Sequence, residues 1–190
     1  MTAAEKRKLS ATEYLALERG ADYRSQFWEG EIFAMAGNSP EHSEIATNLT
    51  GELFARLKGG GGKCRVYGSD MRVRISADKY VYPDLSIVCG EPRFDNDTLL
   101  NPVAIIEILS PSTESFDRGK KFAGYREIPT LRDYVLVAQD APVIERFSLT
   151  DGKWTLTDTR GLDATLDLPA AAIRVPLRDV FARVSFTGAG

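Results

Sequence analysis

The chain has 190 residues, 43% of them hydrophobic, and its 24 basic and 27 acidic side chains give a net charge of −3. This length fits one domain with a buried core, so wholesale disorder is excluded. The net charge excludes a polybasic protein that binds nucleic acid through bulk charge, although a local basic stripe stays compatible with it. No apolar run reaches the roughly 18 residues of a membrane-spanning helix.

Two cysteines, Cys64 and Cys89, are too few for a disulfide framework and too far apart for a CxxC metal site. The segment from Met1 to Lys8 lacks the apolar run of a signal peptide. We therefore expect two reduced thiols and a cytoplasmic protein. The expected organisation is an N-terminal arm (1–9), one domain (10–186) and a short tail (187–190).

The first elements in chain order are two helices around a strand. Ser10–Glu13 matches a capping box and predicts a short helix that ends near Gly20. Phe27–Met35 predicts a strand. Ser39-Pro40 predicts a capped helix start. Helical spacing then predicts a buried face made of Ile45, Leu49, Leu53, Phe54 and Leu57.

Strands predominate in the middle of the chain, after a flexible loop at Gly59–Gly62. Met71–Ile75 alternates apolar residues with two arginines, which predicts a strand with one wet, basic face. Asp84–Cys89 and Val103–Leu109 predict two more strands. The second is nearly all apolar and is expected to be covered on both sides.

The last part of the chain completes a layered α/β pattern. A helix is predicted at Asp117–Ile128, a buried strand at Tyr134–Ala138, and a hairpin with its turn at Asp151-Gly152. Leu177–Val184 predicts a short closing helix. Strands in the middle with flanking helices indicate one α/β fold with an added C-terminal β-hairpin region.

Glu107 interrupts an apolar strand, where an unpaired ionised carboxylate would cost at least several kcal/mol. It is either a strand-end glutamate paired with an arginine, or a metal ligand or acid–base group. Asp84 follows Pro83, which marks a strand entry. It is either a turn cap or a second carboxylate aimed at the same point, a geometry that suits Mg²⁺.

A lysine is the third candidate, and helical phase selects it. Phe122, Tyr125 and Ile128 span an arc of about 120° at roughly 100° per residue. Lys121 falls near the middle of this arc, whereas Lys120 lies about 100° further round, toward water. Lys121 is either a lysine that snorkels along the core edge or a group that acts at the carboxylates.

Together, Asp84, Glu107 and Lys121 match the needs of phosphodiester hydrolysis. Two carboxylates and a backbone carbonyl can hold Mg²⁺, which binds a scissile phosphate and lowers the pKa of an attacking water. A nearby ammonium can position that water or stabilise charge in the transition state.

Three segments, Tyr82–Val88, Ile106–Thr113 and Asp117–Phe122, resemble the Uma-type (Uma-two) family of restriction endonucleases in the PD-(D/E)xK nuclease superfamily. The resemblance runs from about Ser10 to Val184. It also takes in Gly30–Ile32, Ser39–His42, Gly68–Val73 and Ile128–Tyr134. It implies a restriction-endonuclease-like fold with a mixed central β-sheet flanked by helices. It also implies a metal-dependent endonuclease that uses Mg²⁺ (with Mn²⁺ as a substitute), acts on DNA and forms a homodimer.

Carried over residue by residue, Pro83-Asp84 is the PD element and Glu107 the second carboxylate. The superfamily places a lysine two residues after this acid, but Leu109 stands there. The family is thought to take its lysine from the next helix, which implies Lys121. The resemblance implies the carbonyl of Ile108 as a main-chain metal ligand.

The chain departs from the family at Gln26, where a glutamate is common, and at Lys120, where an acid is common. Glu31 could replace the lost acid. His42 faces inward as a hydrogen-bonded core histidine or as a group that orients metal-bound water. One histidine and two distant cysteines make no convincing zinc site, and no local signature supports a Cys89–His42 nucleophile pair.

Two hypotheses stay open for function. The first is a Mg²⁺-dependent DNA endonuclease. The second is a non-catalytic DNA- or protein-binding module that keeps the nuclease fold. The missing ExK lysine, Gln26 and the negative net charge favour the second, and the intact Asp84, Glu107 and Lys121 set favours the first. Several basic residues are either solvated surface charges or, if they line one cleft, phosphate contacts. They are Lys63, Arg65, Arg72, Arg74, Arg118, Lys120 and Arg126.

Overall fold

The computed structural model describes residues 8–35, 37–59 and 63–186. The helices are α1 Ala11–Gly20, α2 Pro40–Gly59, α3 Glu114–Phe116, α4 Phe122–Tyr125 and α5 Leu177–Val180. A π-helical turn at Asp117–Lys121 joins α3 to α4. No helix in these ranges is both long and apolar enough to cross a membrane. Nearly all of the expected N-terminal arm, the expected tail and three of the four loop glycines lie outside the described residues.

Fourteen strands are described. They are β1 Ser25–Trp28, β2 Glu31–Ala34, β3 Cys64–Gly68, β4 Arg72–Ser76, β5 Lys79–Val81, β6 Leu85–Cys89, β7 Phe94–Asp95, β8 Thr98–Leu99, β9 Ala104–Ile108, β10 Asp133–Val137, β11 Val143–Thr150, β12 Lys153–Arg160, β13 Thr165–Leu168 and β14 Ile173–Pro176. One sheet has the order β12-β11-β10-β9-β6-β3, a second β2-β1-β5-β4-β8-β7, and β13 pairs with β14.

The first sheet is mixed, because β9 and β10 run parallel while the other neighbours in it are antiparallel. Its two faces belong to different cores. The α2 side chains Ile45, Leu49 and Leu53 pack in one core, and Tyr125 of α4 packs in the other. The predicted mixed sheet flanked by helices is confirmed.

Local signals place both early helices correctly. Ser10 and Glu13 form the predicted capping box of α1, and the Ser39 hydroxyl accepts a hydrogen bond from the His42 amide at the start of α2. Phe54 is exposed, so its assignment to the buried face of α2 is wrong. Its neighbour Leu53 takes the inward position.

The wet, basic face predicted around β4 is wrong at Arg72. This guanidinium is buried and pairs with Asp97, Thr98 and the Tyr82 hydroxyl. Buried arginines need such partners, and these come from segments distant in sequence. The second arginine of the strand, Arg74, forms an ion pair with Asp95.

Two predicted elements have different boundaries. Phe27–Met35 forms two strands, because Glu29 and Gly30 adopt positive φ and turn the chain between β1 and β2. The helix predicted at Asp117–Ile128 instead begins with α3 at Glu114 and ends with α4 at Tyr125. The π-helical turn Asp117–Lys121 lies between these two helices. α5 is shorter than the closing helix expected at Leu177–Val184.

The predicted C-terminal hairpin is confirmed as β11 and β12, which pair from Val143–Arg160 to Thr150–Lys153. Its turn residues Asp151 and Gly152 both have positive φ, the conformation that an Asp-Gly hairpin turn requires. The second hairpin, β13 and β14, was not predicted.

The expectation of two reduced thiols is wrong, because Cys64 and Cys89 form a disulfide. The antiparallel register of β3 and β6 sets them directly opposite each other. The sequence did not reveal this pairing because β3 itself was not predicted. The expected cytoplasmic location was inferred in part from free thiols, and the disulfide removes that support.

Candidate active site

One cavity of about 470 Å³ brings most of the predicted site residues together. Asp84, Glu107, Lys121, His42 and Ile108 all line it. It opens between the start of β6, the end of β9, and the loops that precede α2 and α3. Glu31, the predicted substitute acid, is exposed on β2 and is not among the lining residues.

Strand register explains why the two carboxylates approach each other. β6 and β9 are antiparallel, and Leu85 pairs with Ile106. Asp84, which directly precedes β6, and Glu107 in β9 are the next residues on the same side of this pair. Alternation then turns Ile106 into the core beneath α2 and leaves Glu107 on the face that Tyr125 covers.

Glu107 is buried, and two donors hold its Oε1. Lys121 Nζ lies 2.7 Å from this atom and the Tyr125 hydroxyl donates to it at 2.6 Å. Burial is the main reason why the pKa of Glu107 is raised to about 7. The ammonium of Lys121 lowers this pKa, while the negative charges of Asp117 and Asp84 raise it further. The contact with Lys121 therefore offsets only part of the free-energy cost of ionising Glu107 in this buried site.

Lys121 is buried and points toward the sheet, while Lys120 is exposed, as the helical phase predicts. Its Nζ lies 3.2 Å from Asp117 Oδ1 in addition to the contact with Glu107. Burial lowers the pKa of Lys121, but the charges of Glu107 and Asp117 outweigh burial and raise it. The pKa values of both partners are raised, and the acid decides when the pair forms because the lysine stays charged over the range in which the glutamate titrates.

Asp84 is fixed from two sides through Oδ2. The Ile108 amide donates to this oxygen at 2.7 Å, and His42 Nε2 lies 3.3 Å from it. Burial lowers the pKa of His42, but the hydrogen bond and charge of Asp84, with smaller contributions from Glu107 and Asp117, raise it above its ordinary value of 6.5. His42 is thus both a buried histidine and a neighbour of the candidate metal ligand.

Unsatisfied polar atoms are concentrated in this cavity. Four buried side-chain atoms have no hydrogen-bond partner among the described residues, and three belong to residues that line it. These are Gln26 Oε1, His42 Nδ1 and Asp117 Oδ1, the last of which still has its ion-pair contact with Lys121 Nζ. Because buried polar groups are almost always paired, such a concentration points to a bound ion, water or ligand.

The donor set fits a hard divalent cation. Asp84, Glu107 and Asp117 bring three carboxylates to the cavity against the single ammonium of Lys121. Among the described residues no hydrogen bond reaches Asp84 Oδ1 or Glu107 Oε2, so each acid keeps one oxygen for a ligand bond. No group of three or more His, Cys, Asp or Glu in the described ranges has a metal-binding arrangement. A metal here would rely on two acids, the main chain and water.

Two further residues belong to the site but were not predicted to act there. Asp117 lies four residues before Lys121 and Tyr125 four residues after it, and both contact the Lys121–Glu107 pair. This spacing could have identified them, because residues four apart share one helix face. None of the seven basic residues considered for DNA contact lines the cavity.

A family model with the description "Uma2: Putative restriction endonuclease" matches residues 11–177. The chain belongs to the Uma2 family. Two relatives come from Synechocystis sp. (strain ATCC 27184 / PCC 6803 / Kazusa), the uncharacterized proteins sll1609 and slr1290. The first is 36% identical over 172 residues, covering 88% of this chain and 96% of the relative. The second is 33% identical over 183 residues, covering 94% of each.

A solved structure shares the fold. The crystal structure of a putative nuclease belonging to DUF820 from Anabaena variabilis ATCC 29413 superposes with a TM-score of 0.76 and covers 93% of this chain and 99% of that one. At 20% identity, this likeness concerns the fold. The Uma2 chain therefore has the restriction-endonuclease-like architecture that its motifs predict.

Proposed function

We propose that this protein is a metal-dependent endonuclease that hydrolyses phosphodiester bonds in DNA, with Mg²⁺ as its cation and Mn²⁺ as a substitute. One observation carries the proposal. Asp84 and Glu107 are neighbours across β6 and β9, next to the pair Leu85–Ile106. Lys121 Nζ lies 2.7 Å from the glutamate in the same cavity. Membership in a family described as restriction endonucleases supports the same chemistry.

Each residue has a distinct role in this proposal. Asp84 and Glu107 would hold the cation, and Ile108 would contribute its carbonyl as the motif implies. A bound divalent cation supplies Lewis-acid activation of the phosphate and of water. Lys121 positions the attacking water or stabilises the developing negative charge. His42, through its contact with Asp84 Oδ2, keeps that carboxylate oriented.

A non-catalytic DNA- or protein-binding module is the second candidate. Leu109 occupies the place of the superfamily lysine and is buried in the core, so it contributes no charge to the cavity. In addition, the ammonium of Lys121 is engaged by two acids. The two-fold homodimer implied by the resemblance stays a prediction under either function.

A cleavage screen separates the two functions. The purified protein is incubated with plasmid and with single-stranded DNA in Mg²⁺, Mn²⁺ or EDTA. We expect cleavage with either metal, none in EDTA, and none from the Glu107→Gln variant. Intact DNA in every metal-containing reaction of the folded wild type would reject the nuclease and leave the binding module.

A further inference from the structure

The composition of the cavity wall restricts the form of the substrate. Lys121 is the only lysine or arginine that lines the cavity within the described residues, and it is already paired with Glu107 and Asp117. Proteins that hold duplex DNA neutralise several backbone phosphates with lysine and arginine. This wall offers no free cation for that purpose.

Two arginines close in sequence to lining residues are also engaged. Arg118 pairs with Glu114 and Glu145, and Arg24 pairs with Asp70. Lys120 is exposed but is not part of the lining. Of these three cations next to the lining in sequence, only Lys120 is left without an acidic partner among the described residues.

Neutral donors and acceptors line the cavity instead. The Ser110 hydroxyl shares hydrogen bonds with Ser112 and Thr113 on the loop before α3. Across the cavity, the Ser39 hydroxyl donates to the Gln139 side chain at 2.8 Å. Hydroxyl and amide groups can bind phosphates, sugars and the Watson–Crick edges of bases, and these last are available only when a base is unpaired.

Aromatic rings complete this wall. Phe116 and Tyr82 both line the cavity, and Phe116 is held edge-on by Trp28 with ring centroids 5.3 Å apart. Stacking of a base on an aromatic side chain contributes about 1–3 kcal/mol without base pairing. A fixed phenyl ring beside hydrogen-bonding groups is therefore suited to one unpaired base.

Depth points in the same direction. Glu107 and Lys121 are 4% and 3% exposed, so the reacting groups lie at the bottom of the cavity. A volume of about 470 Å³ is in the range of small-ligand sites, large enough for a nucleotide and far too small for a base-paired duplex. Enzymes that bind a base in such a pocket act on single strands or extrude the nucleotide from the duplex.

We infer that DNA enters this cavity as an unpaired nucleotide, so that the substrate is single-stranded DNA or a single-stranded segment within a duplex. This inference rests on the proposed nuclease function. It commits to a substrate form that differs from the duplex DNA on which restriction endonucleases act.

The first test compares three end-labelled DNAs of one sequence in Mg²⁺ or Mn²⁺: a single strand, a blunt duplex, and a duplex with a central unpaired bubble. We expect the single strand to be cut at least tenfold faster than the duplex, and the bubble substrate to be cut inside the bubble. Equal or faster cleavage of the blunt duplex would overturn the inference while leaving the nuclease function intact.

A binding test does not depend on catalysis. In EDTA, fluorescence anisotropy measures the affinity of the labelled single strand for wild type, Phe116→Leu and Phe54→Leu. Phe54 is a matched control because it is exposed on α2 and does not line the cavity. We expect about a tenfold loss for Phe116→Leu, no change for Phe54→Leu, and weaker binding of the duplex than of the single strand.

Salt dependence and the absence of cleavage are both decisive. Few phosphate contacts predict a shallow slope of log affinity against log salt, about −0.7 for each phosphate engaged on a single strand. A slope that corresponds to six or more phosphates, or equal affinity of the two phenylalanine variants, would contradict the inference. If nothing is cleaved but Phe116→Leu alone weakens single-strand binding, the nuclease function fails and the unpaired-nucleotide site stands.

Discussion

The ammonium of Lys121 lies between two buried carboxylates, 2.7 Å from Glu107 and 3.2 Å from Asp117. This placement gives the lysine two tasks, since it balances charge in the resting protein and is the proposed partner of the attacking water. Lys120, its neighbour, is exposed and has no position in the cavity. The two lysines therefore form a matched pair for mutagenesis.

We predict that Lys121→Met abolishes cleavage, with a loss of at least about 100-fold, while Lys120→Met keeps most of it. Lys121→Met should also lower the free energy of unfolding by about 3–5 kcal/mol, because two buried carboxylates lose their counter-charge. Urea denaturation measures the change in stability. Cleavage rates are compared at a temperature where circular dichroism shows that both variants are folded. Loss of activity in Lys120→Met alone would show that the helical phase is wrong.

The raised pKa of Glu107 predicts a pH-dependent stability in the metal-free protein. In the native state this pKa is about 7, against an ordinary value of 4.5, so between these values the native state binds a proton that the unfolded state has released. Stability contributed at this position is therefore lost as the pH rises through that window. Glutamine does not titrate and escapes this loss.

The free energy of unfolding of Glu107→Gln, relative to wild type in EDTA, should therefore rise between pH 5 and pH 8, by up to about 3 kcal/mol. Urea denaturation of both proteins across this range measures the difference. Addition of Mg²⁺ should reduce the advantage of the variant, since a cation stabilises the ionised acid. A difference that is constant with pH would contradict the pKa assigned to Glu107.

Among single residues, the sequence sufficed where a local pattern determines direction. The apolar run of β9 makes Glu107 stand out as its one charged residue, and the helical arc selects Lys121. The hydrogen bond from Tyr125 and the contact between His42 and Asp84 depend on how α4 and α2 cross the sheet, which no local pattern encodes. Arg72 failed for the same reason, because its partners lie on a distant segment.

At the scale of elements, the helix that carries Lys121 is held close to β1 by a glycine. A Cβ atom on Gly124 would lie 2.5 Å from Trp28 Cη2, nearer than side chains can approach. Gly119, on the same helical segment, has nothing within 4 Å of its would-be Cβ atom. One glycine is therefore required by packing and the other is not.

Gly124→Ala should destabilise the protein by about 1–3 kcal/mol through overpacking, and should reduce cleavage because the helix moves with Lys121. Gly119→Ala should be neutral or stabilise by up to about 1 kcal/mol, since alanine restricts the unfolded chain. Thermal melts followed by circular dichroism compare the two. A Gly124→Ala protein as stable as Gly119→Ala would mean that the close approach to Trp28 does not constrain the helix.

Most long elements could be predicted because they carry strong local signals, such as the capping box of α1, the buried face of α2 and the Asp-Gly turn between β11 and β12. The short strands β7 and β8 have two residues each, too few for a period to appear. The π-helical turn could not be predicted either, because one extra residue in a helical turn leaves no distinctive pattern in the sequence.

At the scale of the whole molecule, a disulfide joins two strands of the mixed sheet. Cys64 and Cys89 are 25 residues apart, and closing a loop of this length raises the free energy of the unfolded chain by about 3.5 kcal/mol. The order of strands in a sheet is a long-range property that the sequence pattern did not predict. The disulfide was missed for this reason, because it depends on the pairing of β3 with β6.

Reduction should therefore lower the melting temperature, and Cys64→Ser with Cys89→Ser should show the same lower value whether or not a reductant is present. Differential scanning calorimetry with and without a phosphine reductant measures this. Thiol counting under denaturing conditions provides the control for complete reduction. An unchanged melting temperature in a fully reduced wild type would contradict a stabilising role for the bond.

The central claim is that Asp84 and Glu107 together form a site for a divalent cation. Isothermal titration calorimetry with Mn²⁺ tests it most directly, on wild type, Asp84→Asn and Glu31→Gln, the last as a control acid outside the cavity. We predict one site in wild type and in Glu31→Gln, and loss of binding in Asp84→Asn. Equal Mn²⁺ binding by wild type and Asp84→Asn, or no binding by folded wild type, would contradict the account.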